Sequence, residues 1–597
     1  MKLPKLRSTA LSRQTVDAFG GYNHNLRIRD GEFYEMQNMT SDFFPVLSPR
    51  GRRGLLEQMG KPVNGICFNN GLCHIAGSQV MLSKDDHTYR AVDIGLTDSA
   101  KTLLTMGAYL IILPDRKWIN IAKCTQWEGQ WPDFPAQEDL YGDIDAVWET
   151  AFSMAPCRPD GSERVIGDIP TEKPSEPEYG QLWRDCSVYP PVIKVWSEDQ
   201  GTWVVETAFY TKFTAAGIDH CFDSGDGLQI IGTDPSVLEL PANPYVISKG
   251  ENYIVVSGLV INKTDSSAFG PVQIKRCMPT MDHMVPCGNR LWGCRYGTTD
   301  DGFVNEIYAS ALGDFKNWQR FRNVSTDSYA VSVGVDGPFT GAISYQGRPI
   351  FFKENCMIEV LGNYPANFQV QITPCDGVQE GCQNSLVIVN NILYYKSRRG
   401  VCAFDGSLPV QIGQVFGEKH YGNAVAGGCA GKYYISMQEE TEKNWSLFVF
   451  DTDKGLWHKE DALEAVQFCA YQNELYCIPK GRDQVLTMHG SGQQNSAPVE
   501  WMVQTGDIGL SLAEAKYISR LTVRLQLDIG SCASFYARYD HTPGWEHLFT
   551  LNGTDLHSFT VPIRPKQCDH MQLKIQGTGD GKIYSVTKVI EKGSDLQ

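Results

Sequence analysis

Positive charge is scarce in this sequence. Its 53 Lys and Arg are outnumbered by 69 Asp and Glu, so the 597 residues carry a formal net charge of −16. Broad binding to nucleic acid or an anionic membrane needs a positive field, and that balance argues against both. Long hydrophobic runs are missing as well. Stretches such as Ala108-Tyr-Leu-Ile-Ile-Leu113 are strand-sized, far short of the roughly 20 residues of a membrane span. Met1 to Gln14 has basic residues with no apolar core behind them and does not read as a secretory leader, so a chain made and kept in a cytoplasm is expected. Cysteine is plentiful at 18, yet no C-x-x-C pair occurs, which removes support for a zinc ribbon or a thioredoxin-like site. Cys67, Cys294, Cys402, Cys469 and Cys477 sit inside apolar strands and read as small buried hydrophobes. The N-x-[ST] matches at Asn38, Asn262, Asn323, Asn444 and Asn552 carry no weight without a secretory route. There is no G-x-S-x-G elbow, H-E-x-x-H or P-loop, so neither an enzyme nor a cofactor or metal site is expected.

What is present is a repeated strand rhythm. From Leu386 to Asp461 two copies of one plan follow each other: Leu386-Val-Ile-Val, the turn pair Asn390-Asn391, Leu393-Tyr-Tyr-Lys396 and Gly400-Val-Cys-Ala-Phe404, then Gly431-Lys-Tyr-Tyr-Ile-Ser436 and Trp445-Ser-Leu-Phe-Val-Phe450. β-Branched and aromatic residues bounded by Asn, Asp and Gly predict antiparallel hairpins, and a spacing near forty residues is that of a propeller blade. Similar units begin at Val63 and Thr102, and five more lie between Met284 and Thr487. The expected architecture is all-β: a β-propeller of six or seven blades with an inserted small β-domain and a C-terminal, jelly-roll-like β-sandwich. The boundaries read as an N-terminal arm (1–60), the first blades (61–123), an acidic Trp/Pro-rich loop (124–184), the inserted domain (185–276), the remaining blades (277–490) and the sandwich (497–597). Trp127, Trp131 and Trp148 either expose a contact surface or pin the loop down, and pinning is favoured.

The arm opens with Phe19-Gly-Gly-Tyr-Asn23, continues through Ile28-Arg-Asp-Gly-Glu32 and Glu35-Met-Gln-Asn-Met39, and closes on Leu47-Ser-Pro-Arg-Gly-Arg-Arg-Gly54. By its turn chemistry it is an extended segment that wraps a neighbour or staples a ring shut. Followed by blade-like units, this opening resembles the start of the tail nozzle proteins of short-tailed bacteriophages, the tail tubular protein B type. The resemblance implies a virion structural protein of the tail, made in the host cytoplasm and assembled as a homo-oligomeric ring, six subunits being expected. Such a ring conducts DNA during ejection and binds adaptor, fibre or portal-proximal proteins. A carbohydrate-binding or receptor-binding propeller of the tail, a head-associated virion protein and an unrelated cytoplasmic scaffold are the alternatives.

The residues that could carry chemistry are few. Arg50, Arg52, Arg53, Arg398 and Arg399 are candidates for channel or subunit contacts, and salt bridges are their plainer use. Glu306, Asp327, Glu354 and Glu359 lie where a propeller glycosidase would need paired carboxylates, but turns and strand edges explain them equally. Asp451-Thr-Asp-Lys-Gly-Leu-Trp457 is only loosely like a sialidase Asp-box, and Asp223-Ser-Gly-Asp-Gly227 lacks the Glu of an EF-hand loop and reads as a turn.

Overall fold

A computed structural model describes residues 11–58, 60–69, 71–83, 89–126, 140–299, 302–494 and 497–592. Strand makes up 53% of the chain and helix 4%, so the fold is all-β. Trp127 and Trp131 lie outside the described residues.

Among the described residues, seven small antiparallel sheets form the main body. Their first strands are Val63–Phe68, Thr102–Met106, His283–Cys287, Gly341–Tyr345, Val387–Val389, Tyr421–Cys429 and Ala465–Tyr471. Successive first strands touch, the fourth reaching the fifth through the short 3-10 turn Gln383–Ser385, and the seventh touches the first. Turn chemistry sets the hairpins. Asn390-Asn391 and Gln472-Asn473 have positive φ at both positions, the backbone of a tight two-residue hairpin. The seventh sheet takes its fourth strand from the other end of the chain, where Gly54–Gln58 pairs antiparallel with Gln484–Thr487.

The rest of the arm also folds onto its own chain. Leu11–Val16 pairs with the last strand, Gly581–Lys592, and Glu32–Gln37 pairs with Glu500–Thr505. A C-terminal sheet with open edges exposes unpaired N–H and C=O groups, and the arm supplies partners for them. That sheet has nine strands among the described residues. Its spine is the long strand Lys516–Tyr539, whose first half pairs with Gly581–Lys592 and whose second half pairs with Met571–Thr578. The register slips between Leu527 and Cys532, with Ile529 fully exposed at the corner. A bulge of this kind bends a continuous strand, so one sheet curls into a half-barrel where a sandwich of two sheets was expected.

The insertion between the second and third small sheets begins earlier than the expected 185. Ala146–Trp148 pairs with Gln273–Arg276, and Ser153–Cys157 pairs with Tyr210–Thr214. These strands have three and five residues, and Pro156 interrupts one of them, which leaves too little periodicity to read from sequence. Trp148 packs against the insertion's core, as a pinning residue does. A buried clasp then fastens the insertion to the third sheet's loop. Arg276 Nη1 donates to Asp226 Oδ2 at 2.6 Å and Asn317 Nδ2 donates to Asp226 Oδ1 at 2.8 Å. Gly227 lies so close to the Gln319 carbonyl that a Cβ there would sit 2.1 Å from its oxygen. The turn resembling a calcium loop is thus a joint, with its Asp226 carboxylate already engaged.

All 18 cysteines are unpaired. Of the five read as core residues, Cys294, Cys402 and Cys477 are buried, while Cys67 and Cys469 are half-buried.

At the edge where the seventh sheet receives Gly54–Gln58, Glu474 accepts backbone N–H bonds from Leu475, His489 and Ser491 at 2.9, 2.7 and 3.1 Å. Its carboxylate also faces the His489 ring at 3.3 Å. Burial pushes Glu474 up, but the bonds from His489 and Ser491 outweigh it and bring its pKa to about 2. Contacts with Cys429 and Glu474 raise His489 to about 9. A depressed carboxylate stabilises the fold above its unfolded value of 4.5 and loses that as pH falls toward 2; a raised imidazole stabilises below 6.5 and loses that as pH climbs through 9. The gap in melting temperature between wild type and His489→Asn is therefore expected to be widest between pH 4.5 and 6.5 and to shrink by pH 9. A gap independent of pH would refute this coupling.

Candidate functional site

Two groups of side chains were singled out in the sequence: the arginines Arg50, Arg52, Arg53, Arg398 and Arg399, and the carboxylates of the blades. Arg53 donates to Asp461 at 2.7 Å and to Glu460 at 2.8 Å. Arg50 lies 3.3 Å from Asp461 and donates to Asn38 Oδ1 at 2.9 Å. Asn38, with φ 55°, in turn donates to the carbonyls of Glu460 and Glu500. The cluster joins the arm, the end of the sixth sheet and the half-barrel. Burial alone would raise Asp461, but Arg53 and Arg50 hold it below the usual carboxylate range. The Arg50 and Arg53 side chains are only 14% and 12% exposed. Both guanidiniums are paired with carboxylates of their own chain. Arg52, between them, is half-buried. Arg398 and Arg399 differ: they cap the turn before Gly400–Phe404 with side chains 80% and 78% exposed, 4.0 Å from Glu354 and 3.6 Å from Asp376.

The carboxylates have separate local partners. Glu306 accepts from the Tyr308 hydroxyl at 2.6 Å and from Ser332 at 3.2 Å. Buried Asp327 accepts from the Arg322 and Val324 amides and closes its own loop. Glu354 accepts from the Glu380 amide, and Glu359 lies 3.9 Å from Arg348. The Asp-box-like turn is likewise occupied. Asp451 accepts from Ser41 at 2.5 Å and from Lys454, and Trp457 is buried with its indole N–H on the Ile412 carbonyl. Where the first strands meet lies a cavity of about 430 Å³, walled by Leu104, Met284, Ile343, Leu386, Phe468 and others. Among the described residues its lining has no ionisable side chain; its polar groups are the amides of Gln383, Asn384 and Gln467. Such a wall offers apolar contact and hydrogen bonding, with no acid–base pair.

The aromatic surface lies elsewhere, on a three-stranded sheet of the insertion: Leu182–Asp185, Val192–Ser197 and Thr202–Val205. Strand alternation sends Leu182, Ile193 and Val195 into a small core with Phe209 and Leu259. The opposite face carries Trp183 across from Lys194, and Trp196 across from Trp203. The three indoles form an edge-to-face row, Trp183–Trp203 at 5.4 Å and Trp196–Trp203 at 5.6 Å, with Lys194 Nζ 5.3 Å above Trp183. All three are half-buried, and Tyr189, in the connection between the first two of these strands, is 99% exposed. Sequence reading placed Trp183 in the acidic loop (124–184) and Trp196 and Trp203 on short strands of the inserted domain; the pairing that puts all three on one face joins those two regions. At the end of the half-barrel, Asp507, His541 and His570 bring together a donor set that could hold a metal ion. Nothing in their spacing, 34 and 29 residues apart, announces it.

No protein-family model matches this chain, and no curated protein is similar to it. Among solved structures, an exo-β-1,3-galactanase from Phanerochaete chrysosporium is similar at 8% identity and TM-score 0.22, over 51% of this chain and 95% of that one. The extracellular domain of a hybrid two-component system from B. thetaiotaomicron aligns at 9% identity and TM-score 0.24, over 92% and 98%. PorZ, a surface component of the type-IX secretion system of Porphyromonas gingivalis, aligns at 9% identity and TM-score 0.22, over 88% and 82%. Likeness at these scores carries no argument about this chain.

Removing one partner of a buried ion pair strands the other charge, at a cost of about 3–5 kcal/mol. Arg53→Ala is expected to destabilise the chain by that amount in urea unfolding. Arg398→Ala and Arg399→Ala, at an exposed turn, are expected within about 0.5 kcal/mol of wild type. Equal effects at the two places would show that the arm cluster is not the joint described.

Proposed function

We propose that the seven small sheets close into a seven-bladed β-propeller and that the chain is a structural protein of a bacteriophage tail, of the nozzle type. The observation that carries this reading is where the opening motif falls. Gly21 packs on the Trp457 carbonyl, where a Cβ would lie 2.4 Å from the oxygen. Tyr22 is buried beside Phe448 and Phe416. Asn23 donates to Glu32 at 2.8 Å. Met39 and Leu47 are buried, and Arg50 and Arg53 are paired. Residues scattered from Gly21 to Arg53 thus serve one joint, which is what a family-wide assembly motif requires of them. The seventh sheet, completed by Gly54–Gln58, gives the propeller its closing strand.

In this reading the protein forms a homo-oligomeric ring in the virion, with six subunits, that conducts DNA during ejection and docks adaptor, fibre or portal-proximal proteins. The 430 Å³ cavity is far too small for a duplex, so the conduit lies between subunits. Arg398 and Arg399, exposed at a blade turn, are the arginines left for subunit contact. A head-associated position in the virion is compatible with the same features. Negative-stain microscopy with light scattering of the purified protein is expected to show closed rings. A stable monomer that is also absent from virions would overturn the proposal.

One observation favours a second, compatible reading, a receptor-binding role through glycan contact. The half-buried row Trp183, Trp203 and Trp196, with Lys194 and the Arg184–Glu239 pair nearby, suits stacking of sugar C–H faces with polar groups at the rim. A glycan array is expected to give saturable binding that falls at least about tenfold in Trp196→Ala/Trp203→Ala, about 1.4 kcal/mol. An array with no signal, or one the double variant leaves unchanged, would remove this reading.

A further inference from the structure

At one end of the half-barrel three loops converge. One follows strand Glu500–Thr505, one follows Lys516–Tyr539 and one precedes Met571–Thr578. They contribute Asp507, His541 and His570, whose potential ligand atoms all lie within 4.8 Å of one another. His541 Nε2 is 3.4 Å from Asp507 Oδ2, and the two imidazole rings are 4.4 Å apart. Two buried polar atoms here have no hydrogen-bond partner, Asp507 Oδ1 and His570 Nε2. An unsatisfied buried acceptor on each of two neighbouring side chains is costly unless something binds between them.

The surroundings fix these groups in a receptive form. His570 Nδ1 lies 3.1 Å from Asp569 Oδ2, which leaves the buried Nε2 as the free lone pair. This is the carboxylate–histidine arrangement that orients metal-binding imidazoles. The Asp540 carboxylate accepts the backbone N–H groups of Asp569 and His570 at 2.8 and 3.1 Å and holds the third loop in place. The Ile508–Met571 backbone bridge ties the first loop to it.

We propose that Asp507, His541 and His570 form a site for a divalent first-row transition-metal ion of the zinc class. Two imidazoles and one carboxylate suit such ions, whereas calcium and magnesium prefer all-oxygen shells. A tetrahedral ion with bonds of about 2.0–2.1 Å places its ligands about 3.3 Å apart, and the His541–Asp507 separation already has that size. Small side-chain rotations bring His570 Nε2 into the same shell. Three protein ligands leave a fourth position, which water fills. The ion clamps the three loops at the open end of the half-barrel, remote from the tryptophan face and the central cavity.

The test uses the full chain, stripped with chelator and with accessible cysteine thiols blocked, titrated with Co²⁺ as a coloured probe and then with Zn²⁺ in competition. One Co²⁺ per chain is expected, with visible d–d bands that Zn²⁺ abolishes and a raised melting temperature. His541→Ala and His570→Ala are expected to weaken binding at least about tenfold, while His557→Ala on an exposed strand leaves it unchanged. His541 is exposed, so its alanine variant decides the matter even if His570→Ala fails to fold. Binding equal in wild type and His541→Ala, or no d–d spectrum at all, would overturn the site.

Discussion

The architecture depends on the burial of one irregular segment, residues 19–53, between the fifth and sixth sheets and the half-barrel. Phe19, Tyr22, Phe33, Met36, Met39 and Leu47 share a single hydrophobic core with Tyr394, Phe448 and Trp457 on one side and with Trp501, Val503 and Ile583 on the other. Each large apolar side chain so removed from water contributes about 1.5–3 kcal/mol toward ordering a loop-rich stretch. The buried arginine–carboxylate cluster adds little net stability once desolvation is counted. What it adds is register, because Arg50 and Arg53 fit Glu460 and Asp461 in only one alignment of arm and sheet.

Local chemistry was legible in the sequence and distant pairing was not. Asn390-Asn391 announces a hairpin because its side chains tolerate positive φ, and the structure has that turn. The apolar runs Gly431–Ser436 and Trp445–Phe450 were read as strands, and the structure has Lys432–Glu439 and Trp445–Asp451 there. By contrast, nothing in Leu11–Val16 names Gly581–Lys592 as its partner. A strand's pattern tells which face is buried, never which edge it meets. The half-barrel was read as a sandwich for a related reason. Ile518–Leu527 and Ser534–Arg538 look like two strands, and only the slip at Ile529 reveals one strand turning a corner. Arg50 and Arg53 were visible as a basic cluster, but their carboxylate partners lie some 400 residues away. The tryptophan row and the Asp507–His541–His570 triad are products of folding, assembled from residues with no shared spacing.

The insertion is fastened as firmly as the arm. Asp226, Arg276 and Asn317 form a buried polar clasp, and the Gly227 backbone lies directly on the Gln319 carbonyl. Burial raises Asp226 while Arg276 opposes it, and both Asp226 carboxylate oxygens accept a side-chain hydrogen bond within the clasp. Asp226, Arg276 and Asn317 are all buried, so the insertion and the third small sheet meet through groups withdrawn from water.

The pairing of Leu11 with Glu591 bears on how the chain is made. The strand Leu11–Val16 leaves the ribosome well ahead of its partner, which is synthesised nearly 600 residues later. At about 5–20 residues per second, the opening strands wait roughly half a minute to two minutes with their edges uncovered. The same holds for Gly54–Gln58, which waits for Gln484–Thr487. Low β-branched content and paired glycines in Phe19-Gly-Gly-Tyr-Asn23 suit a segment that must stay unpaired and soluble for that interval. The joint that organises the molecule therefore forms only after strands far apart in sequence have both been made.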